Sequence, residues 1–223
     1  MALYLKGILI ACQGMPETVW VSMVAVIVGA VVGLLLALMR LADNSIVHTI
    51  AKIYIDVVRG TPMVVQAFIF AYGIPQVLQA NSVPFRWADL VIPAVIVCGL
   101  NSAAYMAEVI RGGIQAVDKG QMEAARSLGM SKKTAMRLII IPQAIKIILP
   151  AIGNEFVTLI KETSVLSFVG VVEIMRRGSL WNAATFETFP AYIGVAIAYL
   201  ILTIPLSKFV SHLEHKMSQG EAA

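Results

Sequence analysis

Charge is scarce in this 223-residue sequence. Asp, Glu, Lys and Arg together make up 13% of it while 59% is hydrophobic, whereas about a quarter of a soluble domain is charged. That balance excludes an ordinary water-soluble core inside a charged surface and points to a chain solvated by lipid. Cysteine is sparser still: Cys12 and Cys98 lie far apart, the second inside an apolar run, so no disulfide framework is indicated. No Gly-x-x-x-x-Gly-Lys-Ser/Thr segment occurs, which removes the phosphate cradle for ATP hydrolysis by that route. Ser, His and Asp fall into no arrangement that suggests a nucleophile. The net charge of +4 lacks the basic stripe with interleaved aromatics that would make nucleic acid a partner. The pair His212 and His215 sits in a polar, basic tail and reads as a solvated face rather than a metal site.

What is present is a series of long apolar runs. Residues 18–40 are uncharged from Thr18 to Met39, and in hydrocarbon only a helix satisfies such a backbone. Further spans are expected at 61–73, 90–110, 138–160 and 188–207, giving an all-α integral membrane protein with five transmembrane helices in a single domain over 1–223. Residues 1–16 read as an interfacial segment, and 46–58 as an amphipathic helix along the membrane surface. The turn formers Gly73, Pro75, Asn81, Ser82 and Pro84 are expected to end the second span near Tyr72. The fourth span carries Pro142, Lys146, Pro150, Asn154 and Glu155 and is expected to be kinked and polar-lined, and 163–187 to form an outer segment tucked into the membrane surface.

Lys and Arg fall unequally on the two sides of this arrangement. One side holds Arg40, Lys52, Arg59, Arg111, Lys119, Arg126, Lys132, Lys133, Arg137, Lys208 and Lys216, the other only Lys6, Arg86, Arg176 and Arg177. The excess marks the cytoplasmic side. The N-terminus is then expected outside, the C-terminus inside and residues 111–137 in the cytoplasm. Within that loop a helix-forming run around Glu123 is interrupted at Gly129, a residue suited to left-handed backbone past a helix end, and Ser131 is placed to cap a second helix. The segment 118–142 therefore reads as helix, turn, helix.

The spacing Glu123-Ala124-Ala125, three residues, Gly129, nine residues, Ile139, one residue, Ile141-Pro142 resembles the cytoplasmic signature of permease subunits of bacterial ATP-binding-cassette importers, with Ile141 in place of Leu. Arg59-Gly60-Thr61-Pro62, Asn101-Ser102-Ala103-Ala104-Tyr105, Glu108-Val109-Ile110-Arg111-Gly112-Gly113 and Lys161-Glu162-Thr163-Ser164 extend the likeness, similar to the histidine-, arginine- and glutamine-type permeases of the polar amino-acid uptake branch. The resemblance implies the type I importer permease architecture in the bacterial inner membrane, a second permease subunit, an extracytoplasmic amino-acid-binding protein and a cytoplasmic ATPase dimer. ATP and Mg would be bound by that ATPase, and no cofactor by this chain. It further implies coupling through Glu123, Ala124, Ala125, Leu128 and Gly129, with Ala124, Ala125 and Leu128 entering a groove on the ATPase.

Polar groups inside spans are costly unless paired or wetted, which makes them candidates for a substrate path. Asn101, Tyr105 and Glu108 recur at helical spacing on the third span, and Asn154, Thr158 and Lys161 do so on the fourth. Glu155 and Glu162 stand a heptad apart on the adjoining face. The candidate path is Asn101, Ser102, Tyr105, Glu155, Thr158, Lys161 and Glu162, with pairing of Glu155 to Lys161 as the structural alternative. Glu108 and Arg111 read as a structural pair. Gly29-x-x-x-Gly33 permits close helix approach, within this chain more readily than between subunits.

Overall fold

The computed structural model describes residues 1–218, and every regular element among the described residues is helical. Five helical stretches, Ala2–Arg40, Met63–Ala80, Val91–Ala116, Lys132–Val169 and Thr188–Met217, are long and apolar enough to cross a membrane. The first is two helices, α1 (Ala2–Cys12) and α2 (Met15–Arg40). The segment read as interfacial is thus an ordered helix laid along α10 (Ile174–Thr185) and α11 (Thr188–Ser218). Gly7 makes this possible, because a Cβ there would meet the Pro190 carbonyl oxygen at 2.5 Å. An unbroken rod over 2–40 would be about 58 Å long, roughly twice the hydrocarbon thickness. The break at Gln13–Gly14 lets α1 follow α11 while α2 follows another partner.

That partner is α6 (Val91–Ala116), the most buried of the spans and the axis of the fold. Small residues on both helices allow them to run side by side. A Cβ on Gly29 would meet Ser102 Oγ at 2.6 Å, one on Gly33 the Met106 Cβ at 2.6 Å, and one on Gly99 the Val28 Cγ1 at 2.9 Å. The two-glycine motif therefore works within this chain, where backbones approach closely enough to gain van der Waals contact that lipid does not displace. Next comes α3 (Ser45–Arg59), whose N-terminal amides at Ile46 and Val47 are capped by Asn44 Oδ1 at 2.9 and 3.2 Å. It buries Ala51 and Ile55 against α2 and α6, and Tyr54 donates to the Leu100 carbonyl at 2.8 Å. Ile46, Ile50, Ile53 and Val57 form an exposed apolar stripe on a second side, with Lys52, Asp56 and Arg59 on a third.

The second span does not end at Tyr72. It continues through α4 (Met63–Phe68), a π-turn over Ile69–Gly73 and α5 (Ile74–Ala80). Pro75 would clash with the carbonyl one turn back in a regular α-helix. Widening the preceding turn, so that the Ile74 amide donates to the Ile69 carbonyl, accommodates the ring without a loop. The device recurs at Pro142, where the Ile141 amide donates to Met136 through the π-turn Met136–Ile140, which joins α8 (Lys132–Ala135) to α9 (Ile141–Glu162). The fourth stretch is consequently continuous from Lys132, through α9 and a 3₁₀ segment Thr163–Val169 that stops at Gly170 with φ of 98°. α9 packs on α6 and α11, and α10 closes one end of the bundle.

If the α2–α6 seam holds the fold, Gly33→Leu should abolish or sharply reduce the monodisperse folded fraction in fluorescence-detected size exclusion. Gly112→Ala, with nothing within 4 Å of the added carbon, should change the thermal midpoint by no more than the equivalent of about 0.5 kcal/mol.

Candidate translocation path and loop

On α6 the successive side chains Asn101, Ser102 and Tyr105 point to different neighbours. Asn101 is 5% exposed and its Nδ2 donates to Gln66 Oε1 of α4 at 3.3 Å. Ser102 is fully buried and its hydroxyl donates to Glu155 Oε1 of α9 at 3.5 Å. Half-buried Tyr105 lies under the Arg59 guanidinium, 5.1 Å from its ring centroid. On α9, Asn154, Glu155, Thr158, Lys161 and Glu162 occupy one sector about 120° wide at 100° per residue. Asn154, Thr158 and Lys161 are exposed, and Glu155 and Glu162 half-buried. No Lys or Arg among the described residues comes within ion-pairing distance of either carboxylate, so the alternative pairing of Glu155 with Lys161 does not form.

The structure therefore pairs Ser102 with Glu155 of α9 and the adjacent Asn101 with Gln66 of α4, with Tyr105 one turn further along α6 from Asn101. Thr158 and Lys161 continue the polar sector of α9; among the described residues Thr158 has no hydrogen-bond partner and Lys161 only the electrostatic attraction of Glu162. A hydroxyl, an ammonium and an amide held open within a membrane span require water or another chain beside them. Glu108 is otherwise engaged: Arg111 donates to it from Nη2 at 2.5 Å and Nε at 3.1 Å, and Arg40 approaches at 3.9 Å. It locks the ends of α2 and α6 together.

At that end of the bundle lies α7 (Lys119–Ser127), begun by Asp118, which accepts from the Gly120 amide at 2.7 Å. It ends in a Schellman turn. The Met130 amide donates to the Ala125 carbonyl at 3.1 Å and the Gly129 amide to the Arg126 carbonyl at 3.0 Å, with Gly129 at φ of 85°. Ser131 then accepts from the Thr134 amide at 3.1 Å and starts α8. Gln143 of α9 donates to Gln121 of α7 at 3.4 Å, tying the loop to the span. Of the apolar side chains expected to reach outward, Ala124 and Leu128 are exposed, Leu128 at 84%, but Ala125 is 2% exposed and packs inward. The reason is helical phase, since Ala124 and Leu128, four apart, share a face and Ala125 lies 100° round the helix from Ala124.

A family model described as the binding-protein-dependent transport system inner membrane component matches residues 29–219. The chain belongs to that family. It is 38% identical over 207 residues to the probable amino-acid permease protein YxeN of Bacillus subtilis (strain 168), covering 93% of this chain and 91% of the relative. Similarity to the arginine transport system permease protein ArtQ of the same organism is 37% over 209 residues, covering 94% and 93%. Among solved structures, an amino acid ABC transporter crystallised with histidines matches with a TM-score of 0.87 at 39% identity, over 95% of this chain and 96% of that one. This inner membrane component therefore has the ABC-importer permease fold, and it is a permease, not an enzyme.

Two residues that hold this permease's polar groups in place escape the sequence reading. Gln66 is one; its signal is that it is the sole polar side chain between Met63 and Ala71. Glu173 is the other. It is fully buried and accepts from the Met175 and Arg176 amides at 2.7 Å each and from Tyr199 at 2.8 Å, capping α10. Burial pushes its carboxyl above the usual glutamate range against the pull of those hydrogen bonds. Nothing in Val172-Glu173-Ile174 distinguishes it from an exposed loop carboxylate.

The loop geometry separates two substitutions. Ala125→Glu places a carboxylate in a packed position and should destabilise the loop by about 1–3 kcal/mol, seen as faster hydrogen exchange across 119–131. Leu128→Asp should leave exchange in that segment unchanged.

Proposed function

We propose that this chain is the passage of an ATP-driven importer that carries a polar amino acid into the cytoplasm by alternating access. The observation that carries the reading is the polar sector of α9, which lies open within a span beside the contact of Ser102 with Glu155. Substrate enters from outside, delivered by an extracytoplasmic binding protein. It is held by Asn101, Ser102, Tyr105, Glu155, Thr158, Lys161 and Glu162, and leaves when the helices tilt. Mixed charge suits a zwitterion: carboxylates for an ammonium group, Lys161 for a carboxylate. A second permease subunit, identical or homologous, covers the remaining open face and excludes lipid.

The chain offers no phosphate cradle, so ATP and Mg act in a partner ATPase dimer. The contact is the loop 118–142, in which Glu123, Ala124 and Leu128 present the outer surface while Ala125 and Gly129 fix its shape. Because α8, the π-turn and α9 form a continuous helical stretch, motion of the loop passes as a rigid body into the polar sector. The likeness to amino-acid and arginine permeases supports the substrate class, and the Lys and Arg asymmetry supports an outside N-terminus and a cytoplasmic C-terminus.

Reconstituted with its ATPase, the permease should accumulate a radiolabelled polar amino acid only when ATP is present. Uptake that follows an ion gradient without ATP would contradict the reading. Leu128→Asp should weaken ATPase docking about tenfold, the effect of losing about 1.4 kcal/mol at an interface hot spot, and abolish substrate-stimulated hydrolysis. A cysteine at Gln121 should label only from the cytoplasm and one at Gln79 only from outside. Labelling of the first from outside in intact cells would invert the orientation.

A further inference from the structure

The elbow between α3 and α4 lies against α6 within one turn of the substrate cluster, and a single side chain joins the two. Gln66 Nε2 is within hydrogen-bond reach of the Val58 carbonyl at 2.8 Å, the Thr61 carbonyl at 3.1 Å and the Thr61 hydroxyl at 2.8 Å. Its other end, Oε1, accepts from Asn101. The donor atom of Gln66 therefore fixes the elbow while its acceptor atom fixes a residue of the path. Arg59, the last residue of α3, leaves that elbow and lies over Tyr105. Asn101 and Tyr105 are i and i+4 on one face of α6, so they stand one above the other. Tyr105 is the one nearer the end that carries α7 and α8.

We propose that Arg59 closing over Tyr105 is the inner closure of the passage, and that Gln66 is the positioning residue that keeps this closure in register with Asn101. The inference rests on the importer reading and on its orientation. The contact suits a closure. A guanidinium over an aromatic face is attracted electrostatically without the directional demands of a hydrogen bond, and it strengthens as water is excluded. The elbow suits a hinge, since Gly60-Thr61-Pro62 carries no helical turn of its own and α3 and α4 are each packed on α6. A ligand that takes the Asn101 amide for itself removes the partner of Gln66 Oε1. The elbow is then released from the cluster side, and Arg59 moves with it. Occupancy of the path and opening at its inner end thus share one side chain.

The test measures access rather than uptake, which separates it from the importer reading. In a background with Cys12 and Cys98 replaced, Thr158→Cys places a thiol on the far side of the closure from the cytoplasm. Inside-out vesicles bearing the permease–ATPase complex, without ATP, are treated with a membrane-impermeant methanethiosulfonate. Arg59→Ala and Tyr105→Leu should each raise the labelling rate about two- to fivefold, the change expected when a barrier loses one partly exposed cation–π contact, and their combination should add little. Tyr105→Phe and Arg59→Lys, which keep a ring and a cation, should label at the parental rate. Gln66→Leu should behave as Arg59→Ala, which a residue that only fills space would not. Size exclusion confirms that each variant is folded. Equal rates in all folded variants, or faster labelling in Tyr105→Phe as in Tyr105→Leu, would overturn the closure. Failure of the unsubstituted permease with its ATPase to import with ATP would remove the importer reading while leaving the ratio of labelling rates as measured.

Discussion

Hydrocarbon offers no hydrogen-bond partner, and the need to satisfy every polar group within the chain, with water or with a neighbour shapes this molecule more than any other constraint. Backbone groups meet it by remaining helical even where proline interrupts. At Pro75 and Pro142 the preceding turn widens to a π-turn and the helix goes on. Buried side chains meet it by short local bonds, such as Ser22 to the Thr18 carbonyl at 2.7 Å and Thr163 to the Ile160 carbonyl at 2.7 Å. Glu108 meets it with two arginines, and Glu173 with two amides and a phenol. On the exposed side of α9, Asn154 and Thr158 have no hydrogen-bond partner among the described residues and Lys161 only the attraction of Glu162, and these side chains define where something else belongs.

α6 is the element that makes this arrangement possible. Alanine, serine and glycine over much of its length let α2 lie close on one side and leave α9 in contact on another, so Ser102 reaches Glu155 while Gly29 backs onto Ser102. The glycine seam thus sets the distance between the structural half of the bundle and its polar half. Asn101 faces α4 and Tyr105 faces the end of α3, which makes the same helix the reference for the elbow. Packing and path are therefore not separable on α6, and substitutions there act on both.

Much of the fold was legible in the sequence, because apolar length and the spacing around Gly129 are one-dimensional signals. Gly129 adopts the left-handed backbone that its place between two helix formers implies, and Ser131 caps the helix that follows. The errors have physical causes. Pro75 and Gly73 read as a loop because proline breaks α-helices, while the π-turn that absorbs it has no compositional mark. The segment 1–16 read as interfacial because Lys6 interrupts its hydrophobicity, yet Gly7 against Pro190 is a tertiary contact invisible from either residue alone. Ala125 was expected on the docking surface although helical phase turns it inward. Gln66 and Glu173 were missed because a polar residue acquires its role from what faces it, and the partners of both lie on other elements.

The account stands on the claim that the polar sector of α9 borders water or a second subunit and not lipid. A cysteine scan from Gly153 to Glu162 in the assembled complex, comparing a water-soluble thiol reagent with a lipid-soluble one, measures this directly. Residues 154, 158 and 161 should react with the water-soluble reagent at rates well above 153, 157 and 160, with a three-to-four-residue period. Preferential reaction of 154, 158 and 161 with the lipid-soluble reagent, or no periodicity at all, would contradict the account.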